Sequence, residues 1–74
     1  MTKRSLTVAG HRTSISIEEP FWDGLAEMAA ARKSSVAAIV ASVDRTRPGN
    51  TNLSAAVRIA VLAWYRRKAA TPPA

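Results

Sequence analysis

A chain of 74 residues has room for one domain, and at that length folding buries only about 60% of the unfolded surface, so outside support for the core is expected. No Cys and a single His exclude disulfides and a Cys/His metal cluster as that support, which leaves association between chains. Eleven Lys and Arg against five Asp and Glu give a formal net charge of +6, an imbalance that favours a polyanionic partner.

The charges are unevenly placed. Residues 1–17 carry Lys3, Arg4 and Arg12 with no acid, all the acids fall between Glu18 and Asp44, and six further cations follow from Arg45 to Lys68. Residues 1–10 read as a basic N-terminal arm. They contain no apolar core of the kind a secretory leader needs, and no stretch approaches the roughly 20 apolar residues that span a bilayer, so a cytoplasmic protein with no membrane partner is expected. Catalysis has little to work with. A nucleophilic Ser needs an adjacent base, and His11 is the only imidazole. No catalytic residue, cofactor or metal site is assigned.

The next element, Arg12-Thr-Ser-Ile-Ser-Ile-Glu18, alternates so that Thr13, Ile15 and Ile17 share one face and Arg12, Ser14 and Ser16 the other. This predicts a half-buried strand. A lone strand leaves its backbone groups unsatisfied and must pair, and its symmetry mate in a second subunit is the economical partner. Leu6 and Val8 also alternate, which leaves open an extra strand before Gly10.

Pro20 suits the first turn of a helix over about residues 20–32, with Glu18 and Glu19 at its positive end. Phe21, Leu25, Met28 and Ala29 follow one helical face, widened by Trp22 and Ala26. Gly24 is anomalous there, since an interior Gly costs about 1 kcal/mol relative to Ala. Close approach of a second helix accounts for it. Lys33-Ser34-Ser35 breaks the pattern, and either Ser34 or Ser35 can cap a second helix whose face is Val36, Ile39, Val40 and Val43. Together residues 11–45 form the predicted core unit.

Residues 46–52, with Pro48 and Gly49, read as a linker loop. Asn52 or Ser54 can cap a third helix over 53–68, apolar around most of its circumference and so expected to be buried on several sides. Residues 69–74, with Pro72 and Pro73, read as a flexible tail.

The order strand, helix, capped turn, helix resembles the ribbon-helix-helix repressors of Arc type, and more specifically a bacterial family of short ribbon-helix-helix domain proteins. The residues that carry the resemblance are Lys3-Arg4-Ser5, Gly10-His-Arg-Thr-Ser14, Ile17-Glu18, Phe21-Trp22, Leu25 and Asn52-Leu-Ser-Ala-Ala-Val-Arg58. It implies a mainly α fold, a ribbon-helix-helix unit with an additional C-terminal helix. It further implies an intertwined homodimer whose intersubunit two-stranded antiparallel ribbon enters the major groove of double-stranded DNA. On that reading Ile15, Ile17, Phe21, Trp22, Leu25, Val36, Ile39 and Val40 form the dimer core.

The resemblance places Arg12, Ser14 and Ser16 against base edges. Arg matches guanine through a bidentate fork while Ser discriminates little, so sequence preference leans on Arg12. Ser34, Ser35 and Val36 become backbone clamps for a phosphate at the second helix's N-terminus, and Lys3, Arg4 and His11 become flanking phosphate contacts. The expected function is transcriptional repression by occupying promoter DNA. The alternative is a protein-interaction module, such as an antitoxin gripping its partner with the third helix, and a higher oligomer would cover that helix equally well.

Overall fold

The computed structural model describes residues 1–70. Strands β1 (Thr2–Val8) and β2 (His11–Ile17) come first, then helices α1 (Glu19–Ala31), α2 (Val36–Thr46) and α3 (Leu53–Ala70). The strands form one antiparallel hairpin in register from Thr2 opposite Ile17 to Val8 opposite His11. Ala9 (φ 52°) and Gly10 (φ 82°) make the two-residue turn. Positive φ at both central positions gives the turn whose twist matches that of the strands it joins.

The segment expected as a basic arm is therefore strand β1. It pairs with one edge of β2 within the chain. The sequence signal was present as the Leu6/Val8 alternation before Gly10, but Lys3, Arg4 and Ser5 masked it as a polar run. The far edges of both strands have no strand partner among the described residues.

The three helices pack on one face of the hairpin, with α2 lying against β1 and α3 against β2. The core draws on every element: Val8, Ile15, Ile17, Trp22, Leu25, Met28, Ile39, Val40, Val57 and Val61 are all buried. Of the residues expected at a dimer core, Ile15, Ile17, Trp22, Leu25, Ile39 and Val40 are buried by the chain's own elements, and Phe21 and Val36 are half-buried against them. Strand β1 and helix α3 contribute to that burial within the one chain.

Local chemistry sets the helix ends. Glu18 precedes α1 with extended backbone and Pro20 lies in the first turn. The helix closes with the Ser34 amide bonded to the Ala29 carbonyl at 2.8 Å and the Lys33 amide to the Ala30 carbonyl at 3.2 Å. Lys33 holds the left-handed position usually given to Gly, with φ of 52°. Ser35, of the two serines considered, caps α2, its Oγ accepting from the Ala38 amide at 3.1 Å. Asn52 caps α3, with Oδ1 accepting from the Ala55 amide at 2.8 Å.

Gly24 is where α1 and α3 touch. A Cβ on it would lie 2.6 Å from Val61 Cγ1 and 3.1 Å from Tyr65 Cε2, so the close approach inferred from the sequence is real and its partner is the chain's own third helix. That helix differs from expectation in being buried along one side only. Ala56, Val57 and Val61 face the core, while Ile59 and Leu62 remain 62% and 55% exposed. Apolar content without a clear stripe does not say how many sides a helix buries. Ala69 and Ala70, assigned to the tail, continue α3, and the rest of the expected tail lies outside the described residues.

Candidate nucleic-acid interface

Residues opposite one another in an antiparallel pair share a face, and successive residues alternate. The register therefore puts Lys3 with Ser16, Ser5 with Ser14, and Thr7 with Arg12 on the face turned away from the helices. All are exposed except Ser16, which is half-buried. Ser5 and Ser14 touch across the strands, Oγ to Oγ at 3.4 Å. The three residues expected to meet base edges, Arg12, Ser14 and Ser16, do share one surface. Lys3, expected on flanking phosphate, joins them there.

Ser5 and Thr7 belong to the same surface and were not singled out from the sequence. The signal that finds them is the alternation of residues 2–8 read together with the Gly10 turn. Arg4 and His11 fall on the opposite face by the same register. Arg4 is occupied there, its guanidinium 3.3 Å from Glu19 Oε1 and its Cζ 4.9 Å from the centre of the Trp22 ring. Ser34, Ser35 and Val36 stand at the start of α2, outside the two strands.

The cations divide by position. Arg4, Arg47 and Arg58 are paired with Glu19, Asp44 and Glu18. Lys3 and Arg12 form no ion pair with any described residue, so their charge is available to a ligand.

Side chains from the helices fix the hairpin underneath. Trp22 Nε1 donates to the Thr2 carbonyl at 2.9 Å, and the Thr2 hydroxyl donates to Glu19 Oε2 at 2.9 Å, tying the start of β1 to α1. Arg58 of α3 donates from Nε to Glu18 Oε1 at 3.0 Å, at the junction of β2 and α1. A hydrogen bond from the backbone at Glu18 itself, then the Arg58 bond, hold the Glu18 carboxyl below its ordinary range. Further along, the Tyr65 hydroxyl donates to Glu27 Oε2 at 2.5 Å. That bond, helped by partial desolvation, raises the phenol above its ordinary value.

A second surface lies on the helices. The C-terminal end of α2, the linker and α3 enclose an open groove of about 360 Å³ lined by Val43, Pro48, Ala56, Ile59 and Ala60 among others. Exposed Leu62 lies one turn beyond Ile59.

A two-stranded antiparallel sheet followed by three helices, with a polar cationic sheet face opposite the core, is consistent with a ribbon-helix-helix domain plus an extra helix. Residues 1–65 match the ribbon-helix-helix domain family, and the chain belongs to that family. No curated protein and no solved structure matches it. Ribbon-helix-helix domains are in general DNA-binding transcription regulators or antitoxins, regulatory modules instead of enzymes, and they typically dimerise. No described helix is long and apolar enough to cross a membrane.

Proposed function

We propose that the protein binds double-stranded DNA through the major groove with the outer face of its sheet, as a homodimeric transcriptional repressor in the bacterial cytoplasm. The observation that carries the reading is the placement of Arg12, Ser14 and Ser16 on one outward surface, with the Arg12 charge uncommitted. Arg12 forks onto guanine and sets sequence preference, while the serines accept or donate permissively. The Ser35-capped N-terminus of α2, with the amides of Ser35 and Val36, is a phosphate clamp to which Ser34 adds its hydroxyl, its amide being bonded to the Ala29 carbonyl, and Lys3, Arg4 and His11 add sequence-independent attraction. Arg4 contributes least among these, because Glu19 already offsets its charge.

Fluorescence anisotropy with labelled random-sequence duplex, titrated across a salt series, tests this. Binding should weaken steeply as salt rises, since phosphate contacts release counterions. Arg12→Ala should weaken binding at each salt concentration. No binding by the wild type at low salt would overturn the reading.

A second reading has its own support in the groove beside α3. Exposed Ile59 and Leu62 suit an apolar helix or strand of a partner, as an antitoxin uses, or a further copy of the chain in a larger oligomer. Such a contact resists salt, which separates it from the first.

A further inference from the structure

We infer that the end of the helical layer where α1 and α3 finish is a second contact surface for DNA, holding the phosphate backbone with Arg32, Lys33, Arg66 and Lys68. The inference rests on the DNA-binding reading for the identity of the polyanion, and it adds residues outside the sheet.

The packing of the helices brings these cations to one end. Helices α1 and α3 lie side by side and run the same way: Glu18 is bonded to Arg58, Gly24 lies against Val61 and Tyr65, and Glu27 is bonded to Tyr65. Both therefore finish at the same end, α1 with Arg32 and Lys33 just after Ala31, and α3 with Arg66, Arg67 and Lys68 following Tyr65. Helix α2 runs back between them in sequence. Its last residues, Val43 and Thr46, line the groove with Ala56 and Ile59 from the first half of α3. The N-terminus of α2 thus lies toward the end where α3 finishes.

All five cationic side chains are exposed. Arg32, Lys33 and Arg66 form no ion pair with any described residue. The Lys68 ammonium rests 4.9 Å from the centre of the Trp64 ring, a contact that steadies the side chain without neutralising it. Arg67 is engaged within the chain. The last acid of α1 is Glu27, already bonded to Tyr65, and α3 contains none.

Cations at helix C-termini have an ordinary role, which is to offset the helix dipole, and magnitude decides whether that role exhausts them. A helix end carries about half a charge. The two C-termini here amount to about −1 and the N-terminus of α2 to about +0.5. Even with the Glu27 carboxylate counted, about three of the five positive charges remain uncompensated. Such an excess attracts a polyanion. The two arginines can fork onto phosphate oxygens and the lysines act as point charges. A DNA backbone passing the start of α2, proposed above as a phosphate clamp, meets these cations at the same end of the layer.

Anisotropy titration of random-sequence duplex across a salt series tests the inference, with wild type, Lys33→Gln and Arg66→Gln singly and together, Arg45→Gln and Arg12→Ala. Arg45 is the control, an exposed cation in the last turn of α2, at the other end of the layer. Circular dichroism establishes that each variant folds. One phosphate contact contributes about 0.9 to the slope of log affinity against log salt. Each single variant should therefore lower the slope by about one and the pair by about two, weakening binding alike on all sequences. Arg45→Gln should leave the slope unchanged. Wild-type affinity and slope in the pair would overturn the inference, and a loss in Arg12→Ala alongside would leave the DNA-binding reading standing. An equal loss from Arg45→Gln would also overturn it, since net charge and not this surface would then govern binding. Wild type that binds no duplex, whether or not it binds vesicles of anionic phospholipid, would overturn both.

Discussion

Gly24 shows how one position on α1 is governed by another element. In an isolated helix, replacing Gly with Ala gains about 1 kcal/mol. Here the added methyl would stand 2.6 Å from Val61 Cγ1 and close to the Tyr65 ring, and overpacking of that kind costs about 1–3 kcal/mol. Gly24→Ala should therefore lower the melting temperature, by several degrees in a domain of this size, and a rise would mean that α3 yields without cost. The sequence announced the anomaly but not the partner, because a helix-breaking residue on a buried face signals close approach without direction. Glu18 is a second residue whose role depends on a distant element. Its folded pKa is lowered by the backbone hydrogen bond and by Arg58. The stabilisation is thus present above the ordinary glutamate value of about 4.3 and is lost as pH falls through the lowered folded value. Acid titration of stability should be shallower in Glu18→Gln than in wild type. Tyr65 has the opposite sign. Its folded pKa is raised, so its contribution holds below the ordinary value of about 10 and is lost as pH rises through the folded one.

Among the elements, the hairpin was the least legible. Strand β2 was readable because Ile15 and Ile17 alternate with Ser14 and Ser16, whereas β1 puts Arg4 on its inner face, where a pattern reading expects an apolar residue. The structure accommodates Arg4 by laying its guanidinium near the Trp22 ring and against Glu19, a pairing invisible to periodicity. Helices α1 and α2 were legible almost to their ends because capping and turn residues mark them, Pro20 and Ser35 above all. The orientation of α3 was not, since its apolar residues surround it. The anchoring of β1 by Trp22 makes a prediction for the element as a whole. Trp22→Phe keeps a six-membered aromatic ring but removes the pyrrole ring and with it the hydrogen bond to the Thr2 carbonyl, at a cost of about 1 kcal/mol for the bond and more for the space left at this buried position. Hydrogen exchange should accelerate first in the β1 amides near Thr2, and uniform acceleration across all helices would contradict that local role.

For the whole molecule, the division of labour is between a sheet that faces outward with polar, cationic side chains and helices that bury the apolar ones behind it. Arg12, Ser14 and Ser16 could be grouped from the sequence because they share one strand. Ser5 and Thr7 could not, because their place on the same face depends on the cross-strand register. The groove beside Ile59 lies on the helical side of the molecule, so DNA and an apolar partner would use different surfaces. DNA binding by the outer sheet face is tested most directly by following backbone amide and side-chain NMR signals during titration with duplex DNA at low salt. Shifts should concentrate at Lys3, Ser5, Thr7, Arg12, Ser14 and Ser16, with Ile59 and Leu62 unmoved. Shifts concentrated at Ile59, Leu62 and the groove, with the hairpin silent, would contradict it.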